Sequence, residues 1–402
     1  ENNNESVLAF PGAQGFGANT KGGRFGKVIE VTNLNDDGIG SFRHACEMSG
    51  PRIIVFKTGG NIALSKSIRI TEPFLTIAGQ TAPGDGITIS GGTLMLSASE
   101  IIIRGLRIRV GSKRKGDWDG IALLPLENKP MKNIIIDHCS ISWSIDENVS
   151  TNGRKAKLSN VTFSNNIISE GLNDPAKHSK GLPHSAGMLI NKSGVDSISV
   201  IGNLFAHNKF RQPKVGMGAS AEIVNNVMYN WATKNTTIAP ETKVNIIGNY
   251  YVTGPDWNRK FKGIILSDEL FGGNPGKVYV EDNLGPGKES AEAEEWSAVT
   301  GPRDWRVDSP LIDAGTIPRP VESAYNHVLE NSGAWPRDFH DRRVVEDVIN
   351  RTGRIIESEM EVGGMQSIET GTSPWDTDGD SLPDNWEYAN GFDDNRHDDI
   401  LV

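Results

Sequence analysis

The sequence predicts an all-β chain of short strands stacked as a parallel β-helix, closed by an N-terminal capping helix and followed by a C-terminal helical and loop tail. Three observations carry this. Short β-rich runs share one grammar of alternating Val and Ile, then one or two Asn or Gly, then an apolar residue: NVTFSNNIIS from Asn160, SISVIGNLFA from Ser197, AEIVNNVMYN from Ala221, VNIIGNYYV from Val244 and VYVEDNLG from Val278. Placed in register, they align Asn166, Asn203, Asn226, Asn249 and Asn283 at steps of 37, 23, 23 and 34 residues. The 45 glycines and abundant Asn suit frequent left-handed turns, while aromatics at 7% are too few for a thick globular core.

Each run can bury its inward side chains only with neighbours above and below, so about seven to nine coils should stack, with the aligned Asn side chains bonding from coil to coil. FLTIAGQ from Phe74, IIIRGLRIRV from Ile101 and NIIIDHCSIS from Asn133 extend the scheme less regularly. Uneven steps predict long loops on some coils, and loops on a rigid scaffold are where sites sit. Amphipathic helices do not separate the strands, which disfavours a doubly wound α/β fold. SFRHACEM reads as a short helix with Ser41 as N-cap and Phe42, Ala45 and Cys46 on one face. Beyond Ile317, SAYNHVLENSG and RRVVEDVINRTG have helical period.

The expected organisation is a β-helix domain over 1–320, a tail over 321–369 packed on it, and an acidic segment over 370–402. That segment contains DTDGDSLPDNWE, in which Asp376, Asp378, Asp380, Asp384 and Glu387 fall at positions 1, 3, 5, 9 and 12 of an EF-hand-like calcium loop. Its Gly stands at position four rather than six, and calcium there would be structural.

A net charge of −10 argues against nucleic acid or an anionic membrane as partner, and no apolar run approaches the ~18 residues of a membrane span. An acidic chain can hold a polyanion only through a local basic patch, a bound cation, or both. Cys46 and Cys139 read as buried, unbridged thiols. The polar start Glu1-Asn2-Asn3-Asn4 reads as the trimmed end of an exported protein, so the expected location is secreted, periplasmic or cell-surface.

Four segments exceed what strand grammar needs. GDWDGIAL places Asp117 and Asp119 two apart, on one side of an extended strand. DHCSISWSIDENVS holds Asp137, His138, Trp143, Asp146, Glu147 and Asn148. NDPAKHSKGLPHSAG carries Lys177, His178, Lys180 and His184, and AHNKFRQPKVG carries His207, Lys209, Arg211 and Lys214. Carboxylates with cations suit the cleavage of a uronic-acid polymer by β-elimination. Calcium on the substrate carboxylate stabilises the developing enolate, and a cationic side chain meets the charge at C5. Asp137 and His138 read instead as a buried bracing pair, Trp143 as core or a wall of the groove, and the cluster Arg259, Lys260 and Lys262, beside Trp257, as either ordinary surface charge or an outer subsite.

Several of these motifs, in order, resemble the pectate lyases of polysaccharide lyase family one, bacterial secreted type, over roughly Phe10 to Pro320. NIIIDHCSISWS is similar to the family's WIDHxSxS coil, with Ile135 in place of Trp; PRIIVFKTGGNIAL is similar to PRVIVFxxxGxI; FRQPKVG is similar to RxPxxR. The resemblance implies a right-handed helix, calcium as cofactor, and calcium-assisted β-elimination of α-1,4-linked polygalacturonate to unsaturated oligogalacturonides. It implies Arg211 as the catalytic residue and active-site calcium on Asp117, Asp119, Asp146, Glu147 and Asn148. Lys180, His184, Lys209, Lys214, Arg259 and Lys260 are the expected substrate contacts. The pattern's second Arg falls on Gly216 and its Lys near Ala186, so neighbouring cations must replace both. The expected partner is an anionic polysaccharide, bound by a monomer. Competing readings are a pectin lyase, a β-helical galacturonan hydrolase, which needs a carboxylate pair but no basic cluster, and a non-catalytic carbohydrate-binding β-helix.

Overall fold

The structure is a computed structural model that describes residues 7–192, 194–267 and 273–372, with 376–378, 384, 388 and 395 beyond them. Its strands form three parallel sheets of ten, eight and nine strands, visited in rotation as the chain winds. The coil Leu158–Ser164, Ile167–Ser169, Ala186–Asn191 is followed by Val195–Ile201, Leu204–Ala206, Lys214–Val215, and each strand pairs with its counterpart one coil on. Eight complete coils of three strands, from Arg52–Phe56 to Ile264–Leu266, lie among the described residues, within the expected seven to nine.

Register explains the recurring Val and Ile. Ile54, Ile77, Ile103, Ile136, Phe163, Val200, Ile223, Ile246 and Val280 are successive partners down the first sheet. All are buried. Full burial of each such side chain contributes about 1.5–3 kcal/mol, which it gains only against another coil.

The corner between the first two sheets explains the Asn grammar. Asn166 N donates to Asn203 Oδ1 at 2.9 Å, Asn203 N to Asn226 Oδ1 at 2.9 Å, Asn226 N to Asn249 Oδ1 at 3.0 Å, and Asn249 N to Asn283 Oδ1 at 3.0 Å. Each Nδ2 also donates to the next Oδ1. The residue before each ladder Asn is left-handed: Asn165 at φ 53°, Gly202 at 65°, Asn225 at 55°, Gly248 at 65° and Asp282 at 52°. Gly, Asn and Asp accept that conformation most readily, so the pair is one device, a turn residue followed by a rung.

Helix Phe42–Glu47 starts at Ser41, whose side chain accepts from His44 N, and buries Phe42 against Phe56 at a ring separation of 5.6 Å. Helices Val321–Asn331 and Phe339–Asn350 lie outside the second sheet, burying Val328, Leu329, Val344, Val345 and Val348 against Ile167, Leu204, Val227 and Tyr229. Buried charges lock this tail down. Arg109 Nη2 meets Asp338 Oδ2 at 3.1 Å and Asp341 Oδ1 at 2.8 Å, Arg107 Nε stands 3.6 Å from Asp338, and Arg343 reaches Glu170 at 2.7 Å. Cys46 and Cys139 are buried and unbridged, and burial pushes the Cys139 thiol up to about 12. No helix among the described residues is long and apolar enough to cross a membrane.

Candidate active site

Residues expected to carry chemistry gather where loops enter the third sheet. Ile121–Leu123, Glu147–Asn152, Ala186–Asn191, Lys214–Val215 and Thr236–Ile238 are successive neighbours in it. Each is preceded by a loop bearing charged groups. Stacking at ~4.8 Å per strand turns residues far apart in sequence into one column.

The upper part is acidic. Trp118 O accepts from Ile145 N at 3.0 Å and Asp146 N at 3.2 Å, fastening the Asp117–Asp119 loop to the next coil. Half-buried Asp119 takes Glu147 N at 3.0 Å and Ser150 Oγ at 2.6 Å. Burial pushes its carboxyl up to about 7, with Asp146 and Asp117 adding to the rise against Ser150 and His184. Carboxylate oxygens of Asp119, Asp146 and Glu147 lie within 4.8 Å of one another. Asp117 is exposed, 3.6 Å from His178 Nε2. His184 Nε2 stands 2.8 Å from Asp146 Oδ1, and together with His178 and Arg211 it holds the Asp146 carboxyl below its ordinary value against the burial that raises it.

The lower part is basic. Arg211, left-handed at φ 60°, lies over the Phe210 ring and pairs with Glu147. Burial draws its pKa down, the direction a proton acceptor needs, while Asp146 and Asp119 oppose it. Arg211, Lys214 and Lys234 line a cleft of about 200 Å³ with Phe210, Thr237 and Ser267. Burial, reinforced by Arg211, Lys234 and Lys192, lowers Lys214 to about 8. Lys209 Nζ reaches Asn173 Oδ1 at 3.2 Å.

The structure corrects one expected ligand. Asn148 is fully buried and points inward: Nδ2 donates to Ser169 O and Asn208 Oδ1, both at 3.0 Å, and Oδ1 accepts from Ser144 N at 3.3 Å. Successive strand residues face opposite ways, so with Glu147 outward Asn148 serves a second internal amide pair and no metal. His184 stands among the carboxylates rather than the basic row. Lys180, Arg259 and Lys260 are exposed, the last two on the loop before Ile264–Leu266. Asp137 and His138 lie at the corner between the first and second sheets, where the buried Asp137 binds His138 Nδ1 at 2.7 Å and Arg104 Nε at 3.0 Å. Trp143 is buried, its Nε1 on Glu170.

In the acidic segment, Lys57 Nζ meets Asp376 Oδ2 at 2.6 Å and Asp384 accepts from Thr377 N and Oγ1, both at 2.7 Å. Asp378 is also described, whereas Asp380 and Glu387 lie outside the described residues.

Lys234 was missed, although its signal was present. It follows Arg211 by 23 residues, the step from Asn203 to Asn226, and so occupies the same place one coil on. Ala186 is buried at its strand start, and a side chain at Gly216 would meet Lys192 N at 2.6 Å. The cations facing the cleft therefore come from Lys214 and Lys234.

Acids and cations side by side over one sheet of a right-handed parallel β-helix define the class of protein, a β-helix with a charged cleft along its flank. Among solved structures, a thermostable pectate lyase is similar at a TM-score of 0.57 and 13% identity, covering 83% of this chain and 99% of that one. The major cedar pollen allergen is similar at 0.54 and 17%, covering 80% and 92%. These likenesses show the fold. In sequence, the chain is 38% identical over 406 residues to the probable pectate lyase C of Aspergillus flavus, covering 98% of this chain and 90% of that protein, and 37% identical with the same coverage to that of Aspergillus oryzae. The chain belongs to the pectate lyase family. Those relatives are fungal, so the expected bacterial type finds no support. No protein-family model matches the chain.

Proposed function

We infer that this chain is a pectate lyase that cleaves polygalacturonate by β-elimination, with Arg211 at the reacting carbon and calcium held by Asp119, Asp146 and Glu147. One observation carries the reading: the carboxylate cluster and the Arg211–Lys214–Lys234 row occupy one column. Calcium fits the donor set. Three hard oxygen donors converge, and burial, with the Asp146 and Asp117 charges adding to it, pushes Asp119 up to about 7, a rise that a bound cation would oppose. Bound there, calcium would neutralise the substrate carboxylate and stabilise charge that develops beside it.

The chain's own groups account for the rest. Lys214 and Lys234 bind uronate carboxylates along the cleft. Arg211 lies between acids and cations, held by Glu147 and the Phe210 ring. There, as the neutral guanidine, it takes the C5 proton as the C4–C5 double bond forms and the C4–O bond breaks, and the leaving oxygen takes a proton from water or from the guanidinium so formed. The quoted motifs support placement in family one, and a polymeric substrate supports an extracellular location.

Adding polygalacturonate, with and without calcium, tests this. A lyase yields a conjugated unsaturated uronate absorbing near the ultraviolet edge, and chelator should abolish the signal. Cleavage without that absorbance would make the chain a hydrolase, and binding without cleavage a lectin-like β-helix.

A further inference from the structure

Two histidines beside the carboxylate cluster exceed what a hard-oxygen calcium site needs. His178 and His184, from the loop entering Ala186–Asn191, stack with ring centres 4.4 Å apart and planes 8° from parallel. Both direct Nε2 at the same atom, Asp146 Oδ1, at 3.5 and 2.8 Å. The Phe210 edge, 5.1 Å away, backs the His184 ring.

We propose that His178, His184 and Asp146 form a second divalent-metal site of mixed nitrogen and oxygen donors, which takes a borderline transition metal such as Zn2+, Co2+ or Ni2+. The proposal rests on the calcium reading only in sharing Asp146. Calcium takes oxygen donors, whereas imidazole favours later first-row metals. Tetrahedral ligands bound at ~2.0–2.1 Å stand about 3.3 Å apart. The 2.8 and 3.5 Å separations bracket that spacing, and all three donor atoms lie within 4.8 Å of one another. His184 Nε2 is buried and aimed at Asp146 Oδ1, and a metal between them would move its ring proton to Nδ1. Asp117 Oδ1 stands 3.6 Å from His178 Nε2 but outside the three-donor group.

One contact must yield. Lys180 N donates to His178 Nδ1 at 3.3 Å, which leaves the ring proton on Nε2. Metal at Nε2 moves that proton to Nδ1 and gives up this long bond. The consequence is competition, since a metal on the histidines takes an oxygen from the calcium set and calcium weakens the second metal reciprocally.

The test uses the whole protein in calcium-free buffer near neutral pH. Co2+ titration should give one equivalent with visible bands stronger than those of the aquo ion. Zn2+ added to protein labelled with 15N-histidine should shift the ring nitrogens of two of its 8 histidines. His184→Ala should weaken Co2+ by at least about tenfold. Asp119→Ala should keep the cobalt bands while weakening calcium, so the two readings fail separately. Aquo-like bands, no shifted histidine in wild-type protein, or unchanged Co2+ affinity in folded His184→Ala would each overturn the site and leave the histidines as partners of Asp146 alone.

Discussion

Asn203→Ala is a stringent trial of the ladder. The side chain is fully buried and makes four bonds: Nδ2 donates to Phe163 O at 3.0 Å and Asn226 Oδ1 at 2.9 Å, while Oδ1 accepts Asn166 N and Asn166 Nδ2, both at 2.9 Å. The consequences are unequal. Asn226 Oδ1 still receives Asn203 N, and Asn166 Nδ2 still reaches Ile136 O. Asn166 N loses its acceptor and Phe163 O loses a donor. A buried polar group deprived of its partner costs about 1–3 kcal/mol, so the loss should be about 2–6 kcal/mol. Urea unfolding followed by circular dichroism measures it, with exposed Asn258→Ala as a control expected within about 0.5 kcal/mol of wild type. A loss for Asn203→Ala below about 1 kcal/mol, at unchanged denaturant slope, would show that the ladder is decoration on a fold held by its aliphatic stacks.

Three further outcomes bear on the cleft. Arg211→Ala should lower kcat by about a hundred- to ten-thousand-fold from the lost base alone, and Arg211→Lys should recover little; a raised KM with near-normal kcat would make Arg211 a binding residue. Asp119→Ala should raise the calcium needed for half-maximal rate by at least about tenfold, and full activity at wild-type calcium would remove Asp119 from the ligands. Lys214, depressed to about 8 by burial and by Arg211, Lys234 and Lys192, is charged below that value and neutral above it. Thus kcat/KM for the polyanion should fall as pH rises through about 8, a limb that Lys214→Ala should flatten. An unaltered profile would show that Lys214 does not contact substrate in the step measured.

Much of this was legible because a β-helix writes its geometry as repetition. Asn166, Asn203, Asn226, Asn249 and Asn283 are identical residues doing one job on successive coils, so alignment by eye finds them. Asp117 and Asp119, read as one side of a strand, both lie on the loop before Ile121–Leu123, where Asp119 meets Asp146 and Glu147 while Asp117 is exposed beside His178. Asn148 was expected as a ligand only through the resemblance, and strand alternation turns it from its neighbour Glu147 into the interior. The approach of His178 and His184 to Asp146 was not legible, because an irregular loop carries them across a coil and no period encodes a loop's path. Lys234 lay between these cases, hidden in a segment without strand grammar yet one 23-residue step from Arg211.

The buried arginines of the second sheet impose a timetable. Arg109 is made 229 residues before Asp338 and 232 before Asp341, the acids that neutralise it. A ribosome adding ~5–20 residues per second needs roughly 10–50 s to cover that interval. For that time the coils carrying Arg107 and Arg109 cannot close their outer face without stranding two guanidinium charges, a state costing several kcal/mol per ion. Until helix Phe339–Asn350 is made, the face of the second sheet over Arg107 and Arg109 lacks the cover and the acids that the finished chain gives it.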